Sequence, residues 1–316
     1  MITQTRHKNH FLISIVAPVF NEENCINTFI NSIEAELKLH EYKYEIIFIN
    51  DGSTDQTELI IQKNIEVNKK IKLINFSRNF GKDIALTAGL DFANGDAVIP
   101  MDADLQHPPE IIKQMVKKWL EGYDIINAQR SDQDKETFFK KSFSKLFYKL
   151  FNILSITSIP EKTGDFRLID REVILNLRKL KETHRFMKGL FSWVGYNQYT
   201  LSFNRPERKA GKTKWGYKNL FNFAIDGITS FSTSILRLSI VLGFTVSVIG
   251  FSYAIFILYQ AVFYGNDVPG FPSLIILILV LGGIQLISMG IQGEYIGKIY
   301  EQVKNRPLYI IKDKSF

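Results

Sequence analysis

Two carboxylates stand one residue apart at the end of a short apolar run. In AVIPMDADLQHPPE (97–110), Ala97 to Met101 leads directly into Asp102 and Asp104. Like charges this close repel unless one takes a proton or a cation lies between them. The natural partner is a hard divalent cation, Mg²⁺ or Mn²⁺, which binds through one or two carboxylates and completes its shell with substrate phosphates. A solvated acidic turn has the same local pattern, so the surroundings must decide between the two. His107 is open to two readings, a metal ligand or a turn residue ahead of Pro108 and Pro109. The 5 histidines show no HxxxH spacing, which argues against a zinc site.

The pair needs elements to hold it. Through the first 235 residues apolar runs alternate with helical patterns. Strands are expected at 12–20, 44–50, 71–76, 96–101 and 123–130, and helices at 23–38, 54–66, 81–93 and 108–122. Prolines 108 and 109 fall at a helix start, where a missing N–H costs little. Such alternation predicts βαβ units and an α/β fold with a mostly parallel sheet covered by helices on both faces. Ligands in such sheets bind at the carboxyl ends of the strands. Those ends carry Asn21-Glu22, Asn50-Asp51-Gly52, Ser77-Arg78-Asn79, Asp102 with Asp104, and Arg130. A purely structural rim has no need for this set. No GxGxxG occurs at a strand tip, and GKDIALTAG lacks the order of a phosphate-binding P-loop.

Composition narrows the class further. With 39 Lys+Arg against 32 Asp+Glu the net charge is +7, and its location points to phosphate and membrane affinity rather than nucleic acid. The single cysteine, Cys25, excludes an internal disulfide. The N-terminal run at 11–17, behind Arg6 and Lys8, is too short for a signal peptide and reads as a strand. No charged residue occurs from Leu238 to Asn266, nor from Val268 to Gly293. Each run exceeds the roughly 20 residues that span a bilayer as helix. The turn-rich YGNDVPGFP between them carries no Lys or Arg, whereas the flanks do, so both termini are expected on the cytoplasmic side. Residues 137–154 place Phe139, Phe143, Phe147, Leu150 and Phe151 on one stripe and Lys141, Lys145 and Lys149 opposite, the pattern of an interfacial helix. Packing against the sheet is the alternative. WGYKNLFNFAIDGITSF (215–231) is a second such segment.

PVFNE (18–22), NDGS (50–53), DAD with Gln106 (102–106) and GDFRL (164–168) together resemble family 2 glycosyltransferases, and among them the polyprenyl-phosphate sugar synthases such as dolichol-phosphate mannose synthase. RNFGK (78–82), SDQD after Arg130, FMKGLFSWVG (186–195), ERKAGKTKW (207–215) and GEYIGKIYEQVKNRP (293–307) narrow the resemblance to the bactoprenol glucosyltransferases, over nearly the whole chain. It implies a nucleotide-sugar-binding, GT-A-like sheet with interfacial helices and two transmembrane helices. The expected division is a catalytic core at 1–134, an interfacial helix at 135–157, the acceptor side of the catalytic domain at 158–211 and a second interfacial helix at 212–234. Transmembrane helices at 235–264 and 273–297 follow, joined by a periplasmic hairpin at 265–272 and ending in a cytoplasmic tail at 298–316.

The resemblance further implies UDP-glucose as donor and undecaprenyl phosphate as acceptor at the bacterial plasma membrane. Mannose, N-acetylhexosamine or aminoarabinose-type donors are the alternatives in sugar, and a non-catalytic membrane scaffold the alternative in kind. A flippase and a downstream membrane glycosyltransferase are implied partners, and a homotetramer the implied assembly, serving O-antigen or another surface glycan. By position, Pro18, Phe20, Glu22 and Asp51 would hold the nucleoside, Asp102 and Asp104 the ribose and the metal-bound diphosphate, and Gln106 would sit near the reacting sugar. Lys82 would face the donor phosphates, or else be an exposed first-turn residue. Asp165 is the implied catalytic carboxylate. Arg130, Arg167, Arg208 and Lys214 are the cations proposed for the acceptor phosphate.

The chemistry also limits the roles. A phosphate monoester has a second pKa near 6, so the acceptor is largely ionised at neutral pH and needs no strong base. Attack in one displacement predicts inversion at the sugar. A processive polysaccharide synthase would carry QxxRW, and no Arg-Trp pair occurs; a DxDx[TV] phosphatase would carry Thr or Val where Gln106 stands.

Overall fold

In the computed structural model, which describes residues 11–130, 163–203, 229, 232, 234–264 and 270–316, the apolar runs pair into one eight-stranded sheet. The strands are β1 (Leu12–Val19), β2 (Lys43–Asn50), β3 (Ile71–Phe76), β4 (Ala97–Pro100), β5 (Ile125–Arg130), β6 (Thr163–Asp170), β7 (Gln198–Phe203) and β8 (Ile311–Lys314). Their spatial order is β7-β5-β6-β4-β1-β2-β3-β8. Strands β1 to β4 pair in parallel among themselves, as do β5 and β7, while β6 and β8 run against their neighbours. The sheet is therefore mostly parallel, as the alternation predicts. The departure is β6, an antiparallel wedge between β4 and β5.

Helices α1 (Ile26–Leu39), α2 (Thr57–Val67) and α4 (Ile111–Leu120) cover one face. Helices α3 (Lys82–Phe92), α5 (Arg171–Leu177) and α6 (Met187–Trp193) cover the other. Alternation along β1 divides its side chains between the two layers. Ile13, Ile15, Ala17 and Val19 join the α1 side, where Ile26, Phe29, Ile30, Ile33 and Leu37 form the helix's buried stripe, and Val16 joins the α3 side. Burying one such side chain fully is worth about 1.5–3 kcal/mol. Helix α3 lies so close to β1 that a Cβ on Gly89 would meet Val16 Cγ1 at 2.1 Å. That fixes the height of α3 over the sheet and with it the position of its first residue, Lys82.

Two long helices follow, α7 (Ser234–Tyr264, 31 residues) and α8 (Phe271–Val303, 33 residues). Among the described residues one stretch, Ser239–Tyr264, is long and apolar enough to cross a membrane, and its most apolar part is not buried. Phe244, Phe251 and Phe263 stand about 70% exposed there, a surface that water disfavours. Helix α8 runs past the expected end at 297, and Gln302 in its last turn accepts from Thr183 N–H at 2.8 Å and donates to the Lys181 carbonyl at 2.8 Å. The tail then returns to the sheet. Tyr309 stacks on Phe76 at 5.2 Å and donates to Asp91 at 2.9 Å, and β8 pairs with β3. The expected interfacial segments 137–154 and 215–231 lie outside the described residues but for Thr229, as does most of the 265–272 hairpin.

Candidate active site

Because β1 to β5 run parallel, their carboxyl ends share one rim, and the antiparallel β6 brings its start to the same place. The β1 and β2 tips are zipped together. Asn21 adopts φ 55, a left-handed turn that Asn tolerates. Its N–H donates to Ser53 Oγ at 3.0 Å, and its Oδ1 accepts from Thr54 N–H at 2.8 Å. Glu22 N–H donates to Thr57 Oγ1 at 2.9 Å. Gly52 sits at φ 73, where a Cβ would lie 2.6 Å from the Arg78 carbonyl carbon, so this turn takes no side chain.

Asp51, 4% exposed, clamps the neighbouring loop: Oδ1 accepts from Phe80 N–H at 2.7 Å and Oδ2 from Gly81 N–H at 3.0 Å. Burial pushes its carboxyl up from the ordinary value, with the two amides pulling against that. The residue expected to face a nucleobase thus also holds the loop that launches Lys82.

The expected metal pair and the expected catalytic carboxylate meet through Lys82. The register of β4 against β6 pairs Ala97 with Asp170 and Val98 with Ile169. Continued along both chains, that register sets Asp102 opposite Asp165. Lys82 Nζ lies 2.7 Å from Asp102 Oδ1, 2.9 Å from Asp102 Oδ2 and 3.0 Å from Asp165 Oδ2. Burial opposes the lysine's charge, but Asp165 and then Asp102 override it and raise its pKa well above the ordinary range. Burial likewise opposes ionisation of Asp165, and Lys82, then Lys188 and Arg167, override it, holding the carboxyl far below its usual value. Asp165 is a poor proton acceptor and a lasting negative charge. Its Oδ1 is buried without a hydrogen-bond partner.

His107, open to two readings from the sequence, has a definite task. Its buried ring stacks on Phe166 at 4.7 Å, and Nδ1 accepts from Asp102 N–H at 3.2 Å, orienting the carboxylate's backbone. Asp104 Oδ1 accepts from Gln106 N–H at 3.1 Å, and Leu105 between them takes φ 61, a strained geometry for a branched residue. Gln106 is 4% exposed, with Nε2 buried and unpartnered. These residues fit a hard divalent cation. Asp102 and Asp165 already converge on one positive charge, with Asp104 on the same turn. Among the described residues no group of three or more His, Cys, Asp or Glu is placed to hold a metal ion by itself. That suits an ion that takes the rest of its shell from diphosphate oxygens and water.

The remaining expected residues divide. Pro18 and Glu22 are half-buried at the rim and Phe20 is 37% exposed beside them. Arg130 ends β5 at the same rim. Arg167 differs from the expected phosphate grip. It is 3% exposed, its guanidinium stacks on Phe191 at 4.1 Å, and Nη2 donates to the Gly164 carbonyl at 2.6 Å. From there it acts on Asp165. Arg208 and Lys214 lie outside the described residues. Sequence reasoning missed Lys188 and Asp83. Asp83, one residue after Lys82, is pushed up to about 7 by burial and then by Asp165, while Lys82, Lys188 and a hydrogen bond from Met187 N–H hold it down. The motifs RNFGK and FMKGLF flank both residues but carry no sign of their meeting.

Comparison with known proteins agrees with this architecture. The chain is similar to a glycosyltransferase of Synechocystis sp., 48% identical over 301 residues and covering 95% of each chain. It is similar at the same level to the SfII prophage-derived bactoprenol glucosyl transferase of Shigella flexneri, 48% identical over 300 residues, 95% of this chain and 97% of that one. A crystal structure of Mycobacterium tuberculosis glucosyl-3-phosphoglycerate synthase with Mn²⁺, UDP-glucose and phosphoglyceric acid is a distant likeness, with TM-score 0.46 and 20% identity over 70% of this chain and 79% of that one. The model of the family described as Glycosyl transferase family 2 matches residues 14–178, the stretch that builds the rim from β1 to α5. The chain belongs to that family and is an enzyme that transfers a sugar.

Proposed function

We propose that the enzyme moves glucose from UDP-glucose onto undecaprenyl phosphate with inversion, at the cytoplasmic face of the bacterial plasma membrane. The lipid-linked sugar then serves O-antigen or another surface glycan. The observation that carries this reading is the extent of the likeness to the Shigella bactoprenol glucosyl transferase, which runs over 95% of the chain and so takes in the long helices as well as the sheet. Helices α7 and α8 are read as two spans, with the rim held near the leaflet that presents the acceptor.

The chain's own residues supply positioning and charge. The zipped tips at Asn21, Glu22, Asp51 and Ser53, with Pro18 and Phe20, form the nucleoside side. Asp102 and Asp104 would hold Mg²⁺ or Mn²⁺, which when bound stabilises the departing diphosphate. An acceptor phosphate oxygen attacks the anomeric carbon as the bond to the diphosphate breaks, and UDP leaves. Asp165 stays ionised beside the sugar, where it stabilises developing positive charge and orients the acceptor rather than taking a proton. Arg130, with Arg208 and Lys214, is assigned to the acceptor phosphate. Arg167 and Lys188 act through Asp165, and Gln106 offers its unpartnered Nε2 toward the sugar.

The test uses the full chain reconstituted with undecaprenyl phosphate and radiolabelled UDP-glucose. A labelled product should enter the organic phase only with Mg²⁺ or Mn²⁺ and disappear with EDTA. UDP- and GDP-linked competitors run in parallel identify the sugar. Failure of every nucleotide sugar to label the lipid overturns the reading.

A further inference from the structure

We infer that Lys82 is a built-in counter-ion that competes with the divalent cation for Asp102, making metal binding conditional on the nucleotide diphosphate. The inference rests on the donor-site reading given above. The Lys82 ammonium contacts both oxygens of Asp102, at 2.7 and 2.9 Å, and reaches Asp165 at 3.0 Å. Those Asp102 oxygens are the ones a metal would use. An ammonium in contact with them both blocks and repels an incoming dication.

The lysine is held there firmly but reversibly. Asp51 clamps the amides of Phe80 and Gly81 just before it, and the tight seat of Gly89 on Val16 fixes the helix behind it. The side chain itself is 46% exposed, so it can leave without unpacking the core. Once displaced it needs another anion, because the metal then balances Asp102 and Asp165 and the ammonium has lost both of its partners. The nucleotide diphosphate supplies that anion. Metal and nucleotide therefore favour each other's binding by the same factor, and Lys82 sets much of its size.

The experiment measures Mn²⁺ binding by electron paramagnetic resonance on the full chain in nanodiscs, with and without UDP. Wild type should bind Mn²⁺ weakly alone and at least about tenfold more tightly with UDP, within the usual range of coupling between sites. Lys82→Met should bind Mn²⁺ alone about tenfold more tightly than wild type, and UDP should then add less than it adds to wild type, keeping only the share that comes from its own diphosphate oxygens. Lys82→Arg keeps the charge and should keep the wild-type weakness. Lys82→Gln stands in for Lys82→Met should that variant not fold, as judged by thermal unfolding. If the neutral variants bind Mn²⁺ alone no better than wild type, while UDP still promotes binding, the counter-ion role is overturned and the donor site stands. If no variant binds Mn²⁺ even with UDP, the metal-assisted donor site falls and this inference with it.

Discussion

Replacing Asp165 by Asn removes one charge and keeps the side chain's shape, which isolates what the carboxylate does. Its Oδ2 lies 3.0 Å from Lys82 Nζ. At an effective dielectric of about 20, a unit pair at that separation is worth roughly 5 kcal/mol. Lys82 is 46% exposed, and screening by solvent removes at least half, leaving about 2–3 kcal/mol. A unit of positive charge developing on the sugar at similar range gains a similar amount. The expected loss in kcat is then roughly 30- to 160-fold, at about 1.4 kcal/mol per tenfold. The pH profile separates this role from that of a base. A carboxyl whose folded pKa is depressed is ionised above that value, so Asp165 does not titrate between about pH 5 and pH 9. The acid limb of the wild-type rate then belongs to other groups, the acceptor phosphate near pH 6 and Asp83, pushed up to about 7. Asp165→Asn should lose this factor on the plateau above about pH 8 and keep an acid limb, with the part due to Asp83 moved down because Asp165 no longer pushes that carboxyl up. The assay is transfer of radiolabelled glucose to undecaprenyl phosphate across the window. A loss under about threefold, or a variant profile without the acid limb, refutes the reasoning.

Three further outcomes are expected. Asp83, pushed up to about 7, binds more protons folded than unfolded between about pH 4 and pH 7, so it lowers stability as pH rises through that window. Asp83→Asn should therefore raise Tm more at about pH 8 than at about pH 5, read by thermal unfolding at both. Gly52→Ala places a Cβ 2.6 Å from the Arg78 carbonyl carbon at φ 73. It should cost about 2–4 kcal/mol in urea unfolding, and loss of nucleotide binding should accompany it because the β2 tip moves. Ending the chain after Arg306 removes Tyr309 and β8 and bares the β3 edge. An open edge pairs with other chains, so size-exclusion chromatography should show aggregation that the full chain does not.

Much of the catalytic sheet was legible because its strands are buried on both faces and so read as unbroken apolar runs. The expectation of 71–76 matches β3, and 44–50 matches β2 within a residue. Helix α1 was legible from its stripe, though it starts at Ile26 rather than Glu23 because residues 23–25 are spent on the turn from Asn21. What was not legible is pairing across long separations. Nothing in TGDFRLID says that it inserts antiparallel between β4 and β5, yet that insertion is what brings Asp165 to Asp102. Lys82 was assigned to phosphates by position, and its contact with both carboxylates depends on how α3 sits over β1, which a single Gly89 decides. Arg167 looked like a rim cation because strand polarity cannot tell which alternate residues point inward. IKDK, at the end of the chain, has no apolar run to mark it, since β8 takes its stability from the β3 edge rather than from burial.

That last strand ties closure of the sheet to the order in which the chain is made. Asp313 accepts from Asn75 across 238 positions of sequence, and Asn75 in turn accepts from Asn50 at 2.8 Å, one residue before Asp51. The β3 edge therefore stays open during synthesis until both long helices and the final residues have emerged. Everything between β7 and β8, the two long helices included, must be in place before the sheet is complete. The polar chain from Asp313 through Asn75 to Asn50 thus makes the edge beside the candidate active site the last part of the sheet to be finished.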